Sequence, residues 1–380
     1  MTTCSGIDAA AGVPVVVAFE ESIISIAPGP PGEDIYIAPG WIDLQVNGFA
    51  GVDYNRPDTT HEEIARSIRV LFSTGVTRFY PTVITGPPAG MEAAIRNLAG
   101  AREALPEGVA MDGLHVEGPH ISAEDGPRGA HPRQWVRRPD LDEFRRWQDA
   151  ARGGVRIVTL APEWPEAARY IERIVAAGVV ASIGHTQASP SQIADAVAAG
   201  ATMSTHLGNG AHTLLRRHPN YIWEQLAEDR LTAGFIVDGI HLDASFLKVA
   251  LRAKGIGRSL LVTDAATPAG AAPGRYRMGE LDVEMRADGR VVLAGTDRLA
   301  GSALRMDRGI ENLMNLAGLS LADAIRMATT NPAAAGKVPG RAAGLARGER
   351  ADLVQFRFAQ ATRRIEVLAT WVSGRRVFPE

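Results

Sequence analysis

Cysteine occurs once in 380 residues, at Cys4, so no intramolecular disulfide can form and a reducing, cytoplasmic compartment is expected. Lysine is nearly missing as well: only Lys248, Lys254 and Lys337 occur, and arginine carries almost all the positive charge. No basic residue precedes Arg56, so the N-terminus lacks the positive region that opens a secretory signal. The early apolar run from Ala9 to Phe19 is broken by Pro14 and falls short of the ~20 residues that a bilayer requires. A net charge of -3 gives no electrostatic case for nucleic acid or a membrane surface as partner.

What the chain does have is apolar content, 46%, and a regular alternation that starts at Pro39. Eight short apolar runs end in polar residues: "GWIDLQVNG", "VTRFYPTVIT", "MDGLHVEGP", "VRIVTLAPE", "VASIGHT", "TMSTHLGNG", "TAGFIVDGIH" and "SLLVTDA". Helical patterns such as "HEEIARSIRVLFSTG" and "DASFLKVALRAKG" separate most of them, each opening near a capping or acidic residue and stopping at glycine. Eight strands alternating with helices predict an α/β fold, a parallel (β/α)8 barrel of the TIM type. An open doubly wound sheet is the alternative, but no glycine-rich phosphate fingerprint follows the first strand. The ends differ from the middle. Residues 1–38 carry no helical period, and the segments "GLARGERADLVQF" and "RRIEVLATWVSGRRVF" read as short strands. The two termini are expected to pair as one small β-domain, with helical text from Ala303 to Ala335 leading into it.

Catalytic groups of such barrels lie at the C-terminal ends of the strands. Here the third run ends at Glu117, the fifth at His185, the sixth at His206, the seventh at His241 and the eighth at Asp264. One histidine at a strand end is usually structural; several converging on one mouth form a site. Glu117, His185 and His206 would offer one oxygen and two nitrogens with a position left open for water, the pattern of catalytic zinc. The first strand departs from this chemistry. Metal-dependent amidohydrolases commonly end that strand in His-x-His, and this chain has Gln45 and Asn47 there.

In order and content, "HVEGP", "GHT", "STHLGNG", "VDGIHL", "LVTDA" and "LAGSALRM" resemble the N-acetylglucosamine-6-phosphate deacetylases of the amidohydrolase superfamily, from about Pro39 to the C-terminus. The resemblance implies a barrel over residues 39–335 and a small β-sandwich built from residues 1–38 and 336–380. It implies hydrolysis of the N-acetyl group of N-acetylglucosamine 6-phosphate, with a homodimer as the assembly. Members with Gln-x-Asn on the first strand bind one metal, so one divalent ion per subunit is expected: Zn²⁺, with Fe²⁺ or Co²⁺ also suited to the donor set. Glu117, His185 and His206 would ligate it, and Asp264 would serve as general base and then general acid. His241 and His131 would touch the substrate, and Asn209, Gly210 and Arg217 would hold its phosphate, part of that set coming from the neighbouring subunit.

Two departures from the family bear on the substrate. After the sixth-strand histidine the usual Asn-Ala-Met is Asn209-Gly210-Ala211, and Gly208 stands where an aromatic is usual. Glycine in this loop is expected to free the backbone and enlarge the pocket. The segment before Pro39 is also short for the family's β-sandwich. The alternatives are a deacylase of another N-acyl amino sugar or N-acyl-D-amino acid, and an inactive barrel used as a binding protein. Retention of all four metal and proton-transfer residues argues against the last.

Overall fold

All eight apolar runs become the strands of one parallel sheet that curls into a barrel. The structure is a computed structural model that describes residues 1–30, 34–341 and 344–379. The barrel strands are Trp41–Val46, Val76–Ile84, Leu114–Glu117, Val155–Leu160, Val180–Ile183, Met203–Ser204, Thr232–Ile236 and Ser259–Val262, neighbours in that order. Parallel strands are covered on both faces and need apolar residues throughout. Accordingly every residue of the second strand, Val76–Ile84, is buried. The ring closes between the last strand and the first, where the Asn47 amide donates to the Ala265 carbonyl at 2.7 Å.

The helices begin where the sequence places them. Thr60 and Glu63 form a reciprocal capping box at the start of His61–Phe72, and Ser189 and Gln192 do the same for Pro190–Ala198. Asp243 caps Ala244–Lys254, and Gly255 ends it with φ 74°. These caps fix the loops that lead from the strand ends into the helices, and those loops make the mouth of the site.

Strands from both termini form a single seven-stranded mixed sheet. The strand Ile35–Pro39 sits at the join, parallel to Thr2–Asp8 on one side and antiparallel to Leu353–Ala359 on the other. Pro39 faces Leu353 and Ala38 faces Val354, so the chain enters the barrel beside the strand by which it leaves. A second, three-stranded antiparallel sheet of Gly274–Met278, Leu281–Met285 and Val291–Leu293 follows the eighth barrel strand. The pattern of barrel strands does not anticipate it, although Asp288-Gly289 is a hairpin signal.

The terminal sheet is fastened to the barrel by a buried ion network at the end opposite the site. Arg78, near the start of the second barrel strand, directs Nε to Asp352 Oδ2 at 2.5 Å and Nη1 to Asp112 at 3.1 Å. Arg350 Nε also reaches Asp352, at 2.8 Å, and Arg341 lies 3.5 Å away. Burial pushes the Asp352 carboxyl up, but Arg78, Arg350 and Arg341 outweigh it and hold the group below the usual carboxylate range. Its contribution is therefore present above the unfolded-state pKa and fades as pH falls through the lower folded value. Removing one partner leaves buried arginines uncompensated, so Asp352→Ala should cost about 3–5 kcal/mol. Urea denaturation at neutral pH would measure this, and a loss below about 1 kcal/mol would place the network among weak surface pairs.

Candidate functional site

The loop ends at the C-terminal face of the barrel enclose a pocket of about 380 Å³. Glu117, His185, His206, Asp264, His131, Asn209, Gly210 and His241 all line it. Arg217 does not. It lies on the loop after the sixth strand, exposed to solvent and outside the pocket of its own subunit.

Each core residue is set by the strand before it. Glu117 ends the third strand, and His185, His206 and Asp264 follow within two residues of the fifth, sixth and eighth. The last three have left-handed backbone, with φ of 50°, 27° and 50°. That conformation is costly for a residue with a Cβ and concentrates where a side chain must be aimed. Gly210 shows why its side chain is missing. A Cβ there would lie 2.6 Å from His185 Nδ1, so the glycine permits a close approach of loop to imidazole. At Gly208 a Cβ would meet Leu242 and Phe246 at 2.8 Å. The two glycines are positions of close contact, not of slack.

Glu117, His185 and His206 offer ligand atoms that all lie within 4.8 Å of one another. His206 Nε2 is 2.8 Å and His185 Nε2 3.1 Å from the same oxygen, Glu117 Oε1. The His185 tautomer follows from its other nitrogen. Nδ1 is 2.8 Å from the Pro127 carbonyl, which can only accept, so Nδ1 carries a proton and Nε2 is the nitrogen turned to the Glu117 carboxylate. A divalent cation held between these nitrogens and the carboxylate would satisfy all three groups. Burial pushes the Glu117 carboxyl up, yet the two histidine contacts hold it well below its ordinary range. Burial likewise lowers His206, and Glu117 more than reverses this. The residues fit a divalent ion, and the Pro127 contact is the outer-shell bond that orients a metal-ligating histidine.

Asp264 is buried at the edge of this set. Its Oδ1 accepts from Asn47 Nδ2 at 2.7 Å and from Gln45 Nε2 at 3.0 Å. Burial, followed by the negative charge of Glu117, pushes its pKa up to about 6; His206 and the Asn47 hydrogen bond pull the other way. In sequence, Gln45 and Asn47 stand only as absent metal ligands. The structure gives them a partner 217 to 219 residues away, which no local pattern signals.

The remaining expected residues divide by distance from that centre. His131 stands against the metal set, Nε2 at 3.3 Å from His185 Nε2 and Nδ1 at 2.9 Å from the Thr85 hydroxyl. Burial lowers its pKa to about 3, so it enters the pocket neutral. His241 is held by Asp238, Nδ1 to Oδ2 at 2.6 Å, which leaves Nε2 for the pocket. Asn209 Nδ2 donates to the His206 carbonyl at 3.3 Å. The segment Leu299–Gly301, which opens the "LAGSALRM" stretch, also lines the cavity, as do Met278 and Leu281 of the inserted sheet.

Comparison with known proteins gives the same picture. The chain matches the Amidohydrolase family over residues 36–377. It is 36% identical over 355 residues to an N-acetylglucosamine-6-phosphate deacetylase of Bos taurus, covering 90% of this chain and 83% of that protein. A protein of the same name from Bacillus subtilis is 33% identical over 324 residues, 84% of this chain and 80% of the relative. A solved structure of N-acetyl-D-glucosamine-6-phosphate deacetylase from Mycobacterium smegmatis in complex with N-acetyl-D-glucosamine-6-phosphate superposes with a TM-score of 0.86. It is 33% identical and covers 96% of this chain and 94% of that one.

Protein purified without chelator should retain about one divalent ion per chain, as expected of a three-ligand site. Elemental analysis after dialysis would check this, and His206→Ala should lose most of the ion. Two ions retained per chain would show that the amides of Gln45 and Asn47 do not stop a second from binding.

Proposed function

The chain belongs to the amidohydrolase family, and on that premise we propose that it hydrolyses the N-acetyl group of N-acetylglucosamine 6-phosphate, releasing acetate and glucosamine 6-phosphate. The observation that carries this reading is the convergence of Glu117, His185, His206 and Asp264 in one pocket. In it, Glu117, His185 and His206 hold one divalent ion, Zn²⁺ or else Fe²⁺ or Co²⁺. When bound there, such an ion supplies Lewis acidity, polarising an amide carbonyl and lowering the pKa of water.

Asp264 moves the protons. It takes one from the attacking water and returns it to the nitrogen as the C–N bond breaks. The second transfer is essential because an unprotonated amine is a very poor leaving group. A pKa of about 6 serves both halves: the group is mostly ionised at neutral pH and still basic enough to be protonated in turn. Both amide bonds from Gln45 and Asn47 fall on Oδ1, which leaves Oδ2 to carry the proton. His241, braced by Asp238 through Nδ1, turns Nε2 toward the substrate in the pocket. His131 holds the acylamino end of the substrate beside the metal set.

Asn209 and the Gly210 backbone serve the phosphate, with Arg217. The exposure of Arg217 supports a homodimer in which it reaches the pocket of the neighbouring subunit. The substrate is a small phosphorylated amino sugar, and neither nucleic acid nor a membrane enters this reading.

Replacing Asp264 with Asn keeps the shape and both sides of the pocket but removes the base. Acetate release should fall by at least about 10²–10⁴-fold, the usual weight of such a group, with metal content unchanged. An Asp264→Asn variant that kept a tenth of the activity would make Asp264 structural.

A further inference from the structure

Arg298 is the one lysine or arginine among the residues lining the pocket. It lies just after the inserted three-stranded sheet and reaches across the mouth to the loop after the third barrel strand. There Nη1 meets the Gly129 carbonyl at 3.4 Å. That long bond is the only partner its guanidinium has among the described residues, so most of its five N–H donors are unspent. The adjacent carboxylate, Asp297, is taken by Arg286 at 2.8 Å.

Its backbone, by contrast, is fixed. The Arg298 carbonyl accepts from the Leu293 amide at 2.8 Å, and its own amide donates to the Thr296 hydroxyl at 3.2 Å. Two residues on, the Ala300 amide donates to Val291 at 3.0 Å. A cation with a pinned base, a nearly free planar head and no acid to neutralise it suits a bidentate anion. The metal set lines the same cavity and takes the acyl group, so the anion that Arg298 meets is another part of the substrate.

We propose that Arg298 reads the phosphate of the substrate from within the same subunit. It is a specificity-determining residue distinct from Arg217, which lies outside this pocket. The inference rests on the deacetylase reading above. It adds that the segment following the inserted sheet joins Asn209 and Gly210 in selecting a phosphorylated sugar.

The test compares kcat/KM on N-acetylglucosamine 6-phosphate and on N-acetylglucosamine for the wild type, Arg298→Gln and Arg298→Lys. Glutamine should reduce the preference for the phosphorylated substrate by about tenfold or more, the lower end of a charge-assisted contact. The change should lie mainly in KM, and lysine should restore part of it. Inorganic phosphate, used as a competitive inhibitor, should weaken by a similar factor in the glutamine variant, and metal content should not change. If the wild type prefers the phosphorylated sugar and Arg298→Gln keeps that preference, the inference fails and the deacetylase reading stands. A wild type that releases acetate from neither sugar overturns the deacetylase reading and this inference with it.

Discussion

Two amide groups hold one carboxylate oxygen, and the chemistry of the pocket depends on that contact. Gln45 and Asn47, on and just beyond the first barrel strand, both donate to Asp264 Oδ1 beyond the last. The barrel closes at this seam, with Asn47 also donating its backbone N–H to Ala265. Closure of the fold and placement of Asp264 are thus one piece of construction. Imidazoles at the same two places could ligate a second cation. Amides cannot ligate strongly, but they can donate, so the first strand serves the Asp264 carboxylate.

Across the mouth the same logic runs in the opposite sense. Glu117 gathers two imidazole nitrogens at one oxygen, and the Nδ1–H of His185, held by the Pro127 carbonyl, turns its other nitrogen to that carboxylate. This half of the site calls for a cation, and the Asp264 half keeps an anion whose proton affinity is raised by burial and by Glu117. Left-handed backbone at His185, His206 and Asp264 is the conformational cost of aiming three side chains at one point. The apolar core that runs through the barrel offsets it.

The architecture is legible in the sequence because it rests on local signals. Eight apolar runs, glycine stops and the capping residues Thr60, Ser189 and Asp243 each act over a few residues, and the structure has an element at each. Strand ends then place Glu117, His185, His206 and Asp264 in one mouth without any knowledge of contacts. What the sequence hides depends on long-range geometry. Nothing near Gln45 reveals that its amide faces residue 264, and glycines 208 and 210 read as freedom where the fold uses them for close approach. The inserted sheet at 274–293 has a local signal in Asp288-Gly289 that a search for barrel strands passes over. Arg217 and Arg298 differ only in where their loops run, so a motif cannot tell which of them enters the pocket of its own chain.

If the first-strand amides stabilise the ionised form of Asp264, the acidic limb of kcat/KM against pH must respond to their loss. The decisive comparison is between the wild type and Asn47→Ala. A hydrogen bond donated to a carboxylate favours its charged form, so removing the Asn47 bond raises the pKa of Asp264. A bond worth about 1.4 kcal/mol corresponds to roughly one pH unit. The limb should therefore move upward by about that much, with metal content unchanged. A limb that stays in place, or moves to lower pH, would contradict this role for the amides.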